Sequence, residues 1–244
     1  MTSAAELHQL IERSIEDPSL EPAFLRALLD ATLYVHLPMS EAAGRVRVVT
    51  FTRPDGMPVV PVFTDAPRAA FAGRGAVRTV PIRGRELFQS LPGATFMLDP
   101  NDTTTTIYPE EVAALLATGL AVPAPTSSSG LDVGVGPASI EDRWVAEAVR
   151  GAVSGIPEAQ TLHFAVAHEA SSENPTGFLL IVGIPDAHAQ RVARAITLAL
   201  QSSAREPDLP VDVVTYDPED APEWVGLPGM EPIWRREASG TGKP

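Results

Sequence analysis

Apolar residues recur at helical spacing in two segments at the start of the chain, Ala4 to Glu16 and Leu20 to Ala31. This spacing predicts two amphipathic helices, each with one buried stripe. Short runs rich in β-branched and aromatic residues predict strands between residues 32 and 98, and helical spacing returns over residues 109–117. The first half of the sequence therefore predicts a mixed α/β domain.

The strongest strand signal is a pair of runs, Val46 to Thr52 and Val59 to Thr64, on either side of Pro54-Asp55-Gly56. Proline fixes φ and glycine accepts a positive φ, so this tripeptide predicts the turn of a central hairpin on which the domain is built. Apolar side chains occupy odd and even positions of both runs, which predicts a hairpin covered on both faces. Pro61 has no N–H to donate, and we expect an unpaired edge or a bulge there.

The composition changes at Gly119, where a stretch rich in proline and serine begins. We assign residues 1–118 to an N-terminal domain, 119–130 to a linker, 131–236 to a C-terminal domain and 237–244 to a disordered tail. Strand and helix signals in the C-terminal domain follow the order β-α-β-β-α-β. This order predicts a ferredoxin-like fold, with both helices on one face of an antiparallel sheet, and an α+β class for the whole chain.

Composition and charge exclude several classes of function. The 244 residues include no cysteine, which excludes disulfides, thiolate metal sites and a cysteine nucleophile. The net charge of −13 argues against a general binder of nucleic acid or of anionic membranes. No apolar stretch reaches the roughly 18 residues of a membrane span, and the acidic, amphipathic N-terminus differs from a secretory signal. We therefore expect a cytoplasmic bacterial protein.

Candidate catalytic groups are scarce. None of the five histidines has a partner at the helical spacing of metal ligands, and His163 and His168 fall on opposite faces of one predicted strand. The serines lack the G-x-S-x-G setting of a nucleophile elbow, and Gly73-Arg74-Gly75 lacks the spacing and the lysine of a phosphate loop. Asp99 and Asp102 are placed as in a plain turn. We predict no catalytic residue, no metal site and no cofactor.

Charge is strongly segregated along the chain. Between Arg45 and Arg85 there are eight arginines and two acids, a balance of +6, whereas residues 206–237 hold nine acids and two arginines, a balance of −7. Such segregation predicts complementary surfaces that select partners, and arginine forks suit carboxylates and phosphates. The alternative is a codon usage rich in arginine and alanine, which scatters these side chains over several faces. The predicted binding residues are Arg47, Arg53, Arg74, Arg78, Arg83 and Arg85.

Several segments of the N-terminal half carry a family resemblance: Asp17 to Leu29, Thr50-Phe51-Thr52 with Asp55-Gly56, Val60 to Thr64, Leu98-Asp99-Pro100-Asn101 and Pro109 to Leu116. In this order and spacing they resemble the N-terminal domain of the SseB family, which is named for enhanced serine sensitivity. The second half resembles, more weakly, the C-terminal domain of that family. Residues 103–108 depart from the family pattern, since Tyr108 stands where a serine or threonine cap is usual. The resemblance implies no established enzymatic activity.

We therefore expect a non-catalytic cytoplasmic binding or adaptor protein. Its arginine-rich face is expected to meet a protein partner, a second copy of the chain or a small acidic ligand. The alternative is an enzyme or a regulator of amino-acid metabolism that binds a small anionic metabolite in a cleft. A pocket with a histidine or carboxylate of perturbed pKa favours the alternative, and a broad apolar or charged patch favours the binding protein.

Overall fold

Two β-sheets organise the chain, one in the unit Met1–Ala124 and one in the unit Pro125–Pro244. Helices pack against each sheet, so the mixed α+β class predicted from the sequence is confirmed. These elements are those of a computed structural model, which describes residues 4–39, 47–102, 105–122, 133–169 and 174–237.

The N-terminal unit begins with the two helices that the apolar spacing predicts. A short 3-10 turn, Pro18–Leu20, joins them, and the Asp17 side chain caps this turn by accepting the N–H of Ser19 at 3.0 Å. The elements of this unit are α1 (Ala4–Glu16), α2 (Glu21–Asp30), β1 (Thr32–Pro38), β2 (Phe51–Thr52), β3 (Pro58–Phe63), α3 (Ala66–Gly73), β4 (Val77–Arg83), α4 (Gly84–Ser90), β5 (Phe96–Leu98), β6 (Thr105–Ile107) and α5 (Pro109–Thr118).

The strands of this sheet follow the order β4-β1-β3-β5-β6, and β2 pairs with the start of β3. The β3–β5 pair is parallel and the other pairs are antiparallel. Alternate positions such as Val60 and Val62 of β3 and Phe96 of β5 share one core with Leu28 of α2 and Leu115 of α5. Removal of this apolar face from water holds the helices against the sheet.

The predicted hairpin forms, but its first strand is short. Residues 51–52 pair with residues 58–59, and Gly56 turns the chain at a φ of 86°. Phe51 and its neighbour are exposed, so the expected coverage of both faces is wrong for this strand. The beginning of the predicted run, Val46, lies outside the described residues. Strand β1 pairs with the distal half of β3 instead and supplies the buried residues there.

Pro61 marks a gap in the ladder, as its missing N–H predicts. Pairing of β3 with β2 ends at Val59, and pairing with β1 begins at Val62. His36 follows Val35 in β1, and in this register it lies opposite Pro61. Its carbonyl accepts the N–H of Val49 at 2.8 Å. The unpaired edge expected at Pro61 is therefore confirmed.

The C-terminal unit is built on a second sheet with the order β10-β9-β8, and two further strands pair with the outer edge of β8. The β9–β10 pair is parallel and the other pairs are antiparallel. The elements are β7 (Val133–Pro137), α6 (Trp144–Ser154), β8 (Thr161–Glu169), β9 (Pro175–Gly183), α7 (Ala189–Gln201), β10 (Val211–Tyr216) and β11 (Trp234–Arg235).

The order β-α-β-β-α-β is present along the chain, but the strands are not arranged as in a ferredoxin-like sheet. In that arrangement the first strand lies between the third and the fourth. Here β9 and β10 pair directly, and β7 lies at the far side beside β8. Because β9, α7 and β10 form a crossover whose parallel strands are adjacent, no place remains between them for β7. The predicted ferredoxin-like arrangement is therefore not the observed one.

Both helices of the C-terminal unit lie on one face of its sheet, as predicted. Val149 of α6 and Ile196 of α7 share a core with Leu180 of β9. The segment between β10 and β11 covers the opposite face, where Met230 and Trp224 pack in a second cluster. These side chains therefore attach the C-terminal segment to the body of the unit.

Part of the predicted linker belongs to the N-terminal unit. Helix α5 ends at Thr118 and is capped by Gly119 at a φ of 72°, and Ala121 then packs in the N-terminal core. Val122 is fully buried. Two buried residues carry no periodicity, so the sequence pattern alone does not distinguish them from a linker. Residues 123–132 and the tail residues 238–244 lie outside the described part of the chain.

Candidate functional site

Four of the predicted binding arginines lie around β4, an outer strand of the N-terminal sheet. Arg74 ends α3 with a φ of 46°, and Arg85 lies in the first turn of α4; both are exposed. Arg78 and Arg83 lie near the two ends of β4. Because they are five positions apart on one strand, they point to opposite faces of the sheet. The four arginines therefore do not form a single surface.

The position of these arginines at a sheet edge suggests a structural role. The far side of β4 pairs with no other strand among the described residues. Arginine side chains and Pro81 on such an edge oppose pairing with other chains. Arg83 also approaches Asp30 at 3.8 Å across exposed surface, where an ion pair contributes little. Protection of this sheet edge against pairing with other chains is sufficient to explain the positions of Arg78 and Arg83.

The remaining predicted arginines are dispersed. Arg53 pairs with Asp55 at 2.8 Å and donates from Nη1 to Oγ1 of Thr106 at 2.9 Å. Arg47 is exposed in the segment before β2, and Arg45 lies outside the described residues. Several of the predicted binding arginines are therefore scattered, as in the alternative that attributes them to codon usage.

The arginine with the most polar contacts in this region, Arg68, is absent from the predicted set. Its backbone N–H donates to Oδ1 of Asp65 at 2.7 Å, and this carboxylate caps α3. Its guanidinium pairs with Asp65 and, at 3.0 Å, with Asp102 in the turn after β5. Burial alone lowers the pKa of Arg68, but the hydrogen bonds to Asp102 and Asp65 raise it above its usual value. Arg68 therefore ties α3 to this turn.

Asp99 joins the ends of two parallel strands. It follows β5 with a φ of 41° and is 2% exposed. Its carboxylate accepts the N–H of Thr64 at 3.1 Å and the hydroxyl of Thr64 at 2.6 Å. Burial raises the pKa of Asp99 above its usual value, although these hydrogen bonds oppose the effect. The expected turn is present, and its first carboxylate also links β5 to the end of β3.

A small, open depression of about 40 Å³ lies beside this network. Its walls combine apolar, cationic and anionic groups from α3, the end of β3 and the turn after β5. The lining residues are Phe63, Arg68, Phe71, Asp99, Asn101 and Asp102.

Phe71 is the unusual member of this lining, because its side chain is 75% exposed. Helix α3 buries Ala69 and Gly73 and turns Phe71 outwards. Arg74 follows three residues later as the exposed C-cap residue of the helix. Aromatic residues and arginine are both enriched at protein-binding surfaces. Sequence reasoning missed Phe71, since an apolar residue in a short helix is ordinarily taken as part of the core.

The described residues contain no group of three or more His, Asp or Glu side chains that could hold a metal ion. His36 is buried and donates from Nε2 to the carbonyl of Ala69 at 2.8 Å, while its ring lies 4.7 Å from that of Phe63. This histidine therefore has a structural role. Among the helices that the structure describes, none combines the length and the apolar character that crossing a membrane requires.

Comparison with known proteins gives one family. Residues 7–114 match a family model described as SseB protein N-terminal domain. Two curated relatives, each named Protein SseB, come from Escherichia coli strain K12 and from Shigella flexneri, and each is 31% identical over 121 residues. The match covers 46% of this chain and 45% of each relative, so the chain spans about half the length of the relatives it matches. No solved structure matches.

Proposed function

Residues 7–114 match the N-terminal domain of the SseB family, and from this premise we propose that the chain is a non-catalytic binding protein. Its N-terminal unit docks a protein partner through a face that we name the α3 surface. This surface consists of the outward side of α3 and the adjoining depression. Its members are Arg68, Phe71, Arg74, Asn101 and Asp102.

The exposure of Phe71 is the observation that carries this proposal. A phenylalanine that is 75% exposed has most of its ring in water. Full burial of such a side chain by a partner is worth about 2 kcal/mol. Edge protection explains the arginines of β4, but it does not explain an aromatic ring that faces solvent on a helix. A hydrophobic anchor within a polar rim is the usual composition of a binding hot spot.

Charge indicates the chemistry of the partner. Arg68 is already paired with Asp65 and Asp102. Arg74 is exposed, and its guanidinium makes no hydrogen bond or ion pair with any residue that the structure describes. The partner is therefore expected to bring an apolar side chain to Phe71 and a carboxylate to Arg74.

The partner is proposed to be a bacterial cytoplasmic protein. The relatives come from bacteria. The chain has no cysteine for the disulfides that are common outside the reducing cytoplasm.

The alternative of an enzyme of amino-acid metabolism gains no support from the family comparison. Asp99 has a perturbed pKa and lines the depression. Both of its carboxylate oxygens, however, accept hydrogen bonds from Thr64. This carboxylate is thus engaged in joining two strands, which is a structural use of a buried acid.

Crosslinking and affinity capture from a lysate of the source bacterium test the proposal. The full chain serves as bait beside the variants Phe71→Ala, Arg74→Ser and the double variant. Loss of a hot-spot residue is expected to reduce recovery of the same prey about tenfold, since roughly 1.4 kcal/mol corresponds to one decade. The effect of Arg74→Ser is expected to shrink at 1 M salt, where charges are screened beyond about 3 Å.

Two matched controls lie on other surfaces of the same unit. Ile15→Ala removes an apolar side chain that is 65% exposed on α1, and Arg26→Ser removes an exposed arginine from α2. Both are expected to capture the prey as well as the unchanged chain. Equal recovery by all variants, or equal loss with the controls, contradicts a specific role for the α3 surface.

A further inference from the structure

A second cleft, of about 280 Å³ and open to solvent, lies wholly within the C-terminal unit. Its origin is a gap along the outer edge of β8. Strand β7 pairs with residues 165–169 of β8, and β11 pairs with residues 161–162. The stretch between these two pairings contains Phe164, whose side chain lines the cleft.

The walls of this cleft combine polar and apolar groups. Pro137 is the last residue of β7, Ile140 lies between β7 and α6, and Ile233 comes from the segment before β11. Ile140 is a large aliphatic residue, and it is nevertheless 84% exposed. With Phe164 these side chains form a lining suited to an apolar group of moderate size.

Two opposite charges accompany these walls. Arg143 and Glu231 both line the cleft, and they come from segments that lie far apart in the sequence. Neither side chain forms an ion pair with another residue in the part of the chain that the structure describes. Glu231 is oriented by the backbone, since its Oε1 accepts the N–H of Gly229 at 3.3 Å. Arg143 immediately precedes α6, so the positive end of the helix dipole adds to its field.

We propose that this cleft binds a free α-amino acid with an apolar side chain. Arg143 binds the carboxylate, Glu231 binds the ammonium group, and the side chain lies against Phe164, Ile140 and Ile233. A purely anionic ligand would leave Glu231 facing a like charge, and a cation would do the same at Arg143. A zwitterion satisfies both charges. This site is independent of the α3 surface and of the protein partner proposed for it.

Binding is measured on the full chain by titration calorimetry and by amide chemical shifts, with L-phenylalanine as the probe. Two analogues each lack one charge: N-acetyl-L-phenylalanine has no ammonium group, and L-phenylalanine amide has no carboxylate. Each is expected to bind about five- to tenfold more weakly than the amino acid, as expected for loss of one charged hydrogen bond near the surface. The shifted amides are expected at residues 138–143, 229–231 and 233.

Charge-removing variants assign each role. With Glu231→Gln the difference between phenylalanine and its N-acetyl analogue is expected to disappear, while the difference from the amide remains. With Arg143→Gln the opposite pattern is expected. Arg150→Gln on the exposed side of α6 and Glu219→Gln serve as controls that leave binding unchanged. Melting curves confirm that the variants are folded.

Three results overturn the assignment. Absence of saturable shifts up to about 10 mM phenylalanine shows that no such site exists, since millimolar dissociation constants mark the weak limit of useful recognition. Equal binding of the N-acetyl analogue points to the carboxyl terminus of a peptide instead of a free amino acid. Equal loss in both control variants shows that net charge, and not the two named groups, determines binding.

Discussion

His163 and Met230 are 67 residues apart in sequence and share a hydrogen bond of 2.6 Å, which the imidazole donates from Nδ1 to the backbone carbonyl. A carbonyl only accepts, so Nδ1 carries the proton. The other ring nitrogen, Nε2, lies 3.2 Å from the hydroxyl of Tyr216 and accepts from it in the neutral ring. This contact attaches the segment before β11 to the sheet.

The first prediction concerns acid stability of the C-terminal unit. Burial lowers the pKa of His163 below its usual value. In the unfolded chain the ring titrates near pH 6.5, so below that pH the unfolded state binds more protons than the folded state. The contribution of His163 to the unfolding free energy is therefore fully present above about pH 6.5 and declines as the pH falls. Melting between pH 5 and 7.5 should show this slope in the unchanged chain and a flatter slope in His163→Gln. Identical slopes would rule out His163 as the source.

The second prediction concerns Arg236, whose guanidinium donates to three backbone carbonyls near the end of α6. The acceptors are Ser154 at 2.9 Å, Ile156 at 2.8 Å and Ala159 at 2.8 Å. Arg236→Ala leaves these carbonyls without their charged donor and should cost about 2–4 kcal/mol of unfolding free energy. The exposed neighbour Arg235→Ala is the control and should change it by less than about 0.5 kcal/mol. Similar urea midpoints for the two variants contradict the role given to Arg236.

The third prediction concerns Asp99. Burial raises the pKa of its carboxyl, so ionisation of Asp99 is less favourable in the folded protein than in the unfolded chain. The resulting loss of unfolding free energy grows as the pH rises past about 4. Asp99→Asn removes the charge, keeps a side chain that tolerates positive φ, and is expected to preserve stability at neutral pH. Asp99→Ala leaves Thr64 unpaired and strains the backbone, at a cost of about 1–3 kcal/mol. Denaturant titrations compare the two; a larger loss in the asparagine variant contradicts this account.

The fourth prediction concerns modularity. Each unit holds its own core, so the fragments 1–124 and 125–244 are each expected to melt cooperatively. The shorter fragment 1–118 lacks Ala121 and Val122, which are buried. It should be less stable than 1–124 by about 2 kcal/mol. Calorimetry of the fragments and of the full chain decides the matter. Cooperative melting of the full chain alone refutes separate folding.

The fifth prediction concerns the arginines around β4 and self-association. If they meet acidic residues of the segment 206–237 on another copy, each exposed pair contributes only about 0.2–1 kcal/mol, and several must act together. Changing Arg74, Arg78, Arg83 and Arg85 to serine should then lower the sedimentation-derived association at 0.1 M salt. Raising the salt to 1 M should have the same effect on the unchanged chain. If association depends neither on these four arginines nor on salt, the charge segregation reflects amino-acid composition alone.

Sequence patterns were sufficient where a single element carries its own signal. The helices Ala4–Glu16 and Glu21–Asp30 occur at the predicted positions, because apolar spacing within one element depends on local geometry alone. The gap at Pro61 was also predictable, since a missing N–H is a property of the residue itself. The three-residue strand β6 is too short to leave a pattern of this kind.

The tertiary structure decided everything that depends on which distant segments meet. An alternation of strands and helices is compatible with several strand orders, and only the direct pairing of β9 with β10 excluded the ferredoxin-like one. The charges of Arg78 and Arg83 are visible in the sequence, but their separation onto opposite faces follows from the strand that carries them. The exposure of Phe71 and the partners of Asp99 and His163 likewise required the fold. Such contacts arise from burial summed over the whole unit, and no local periodicity encodes them.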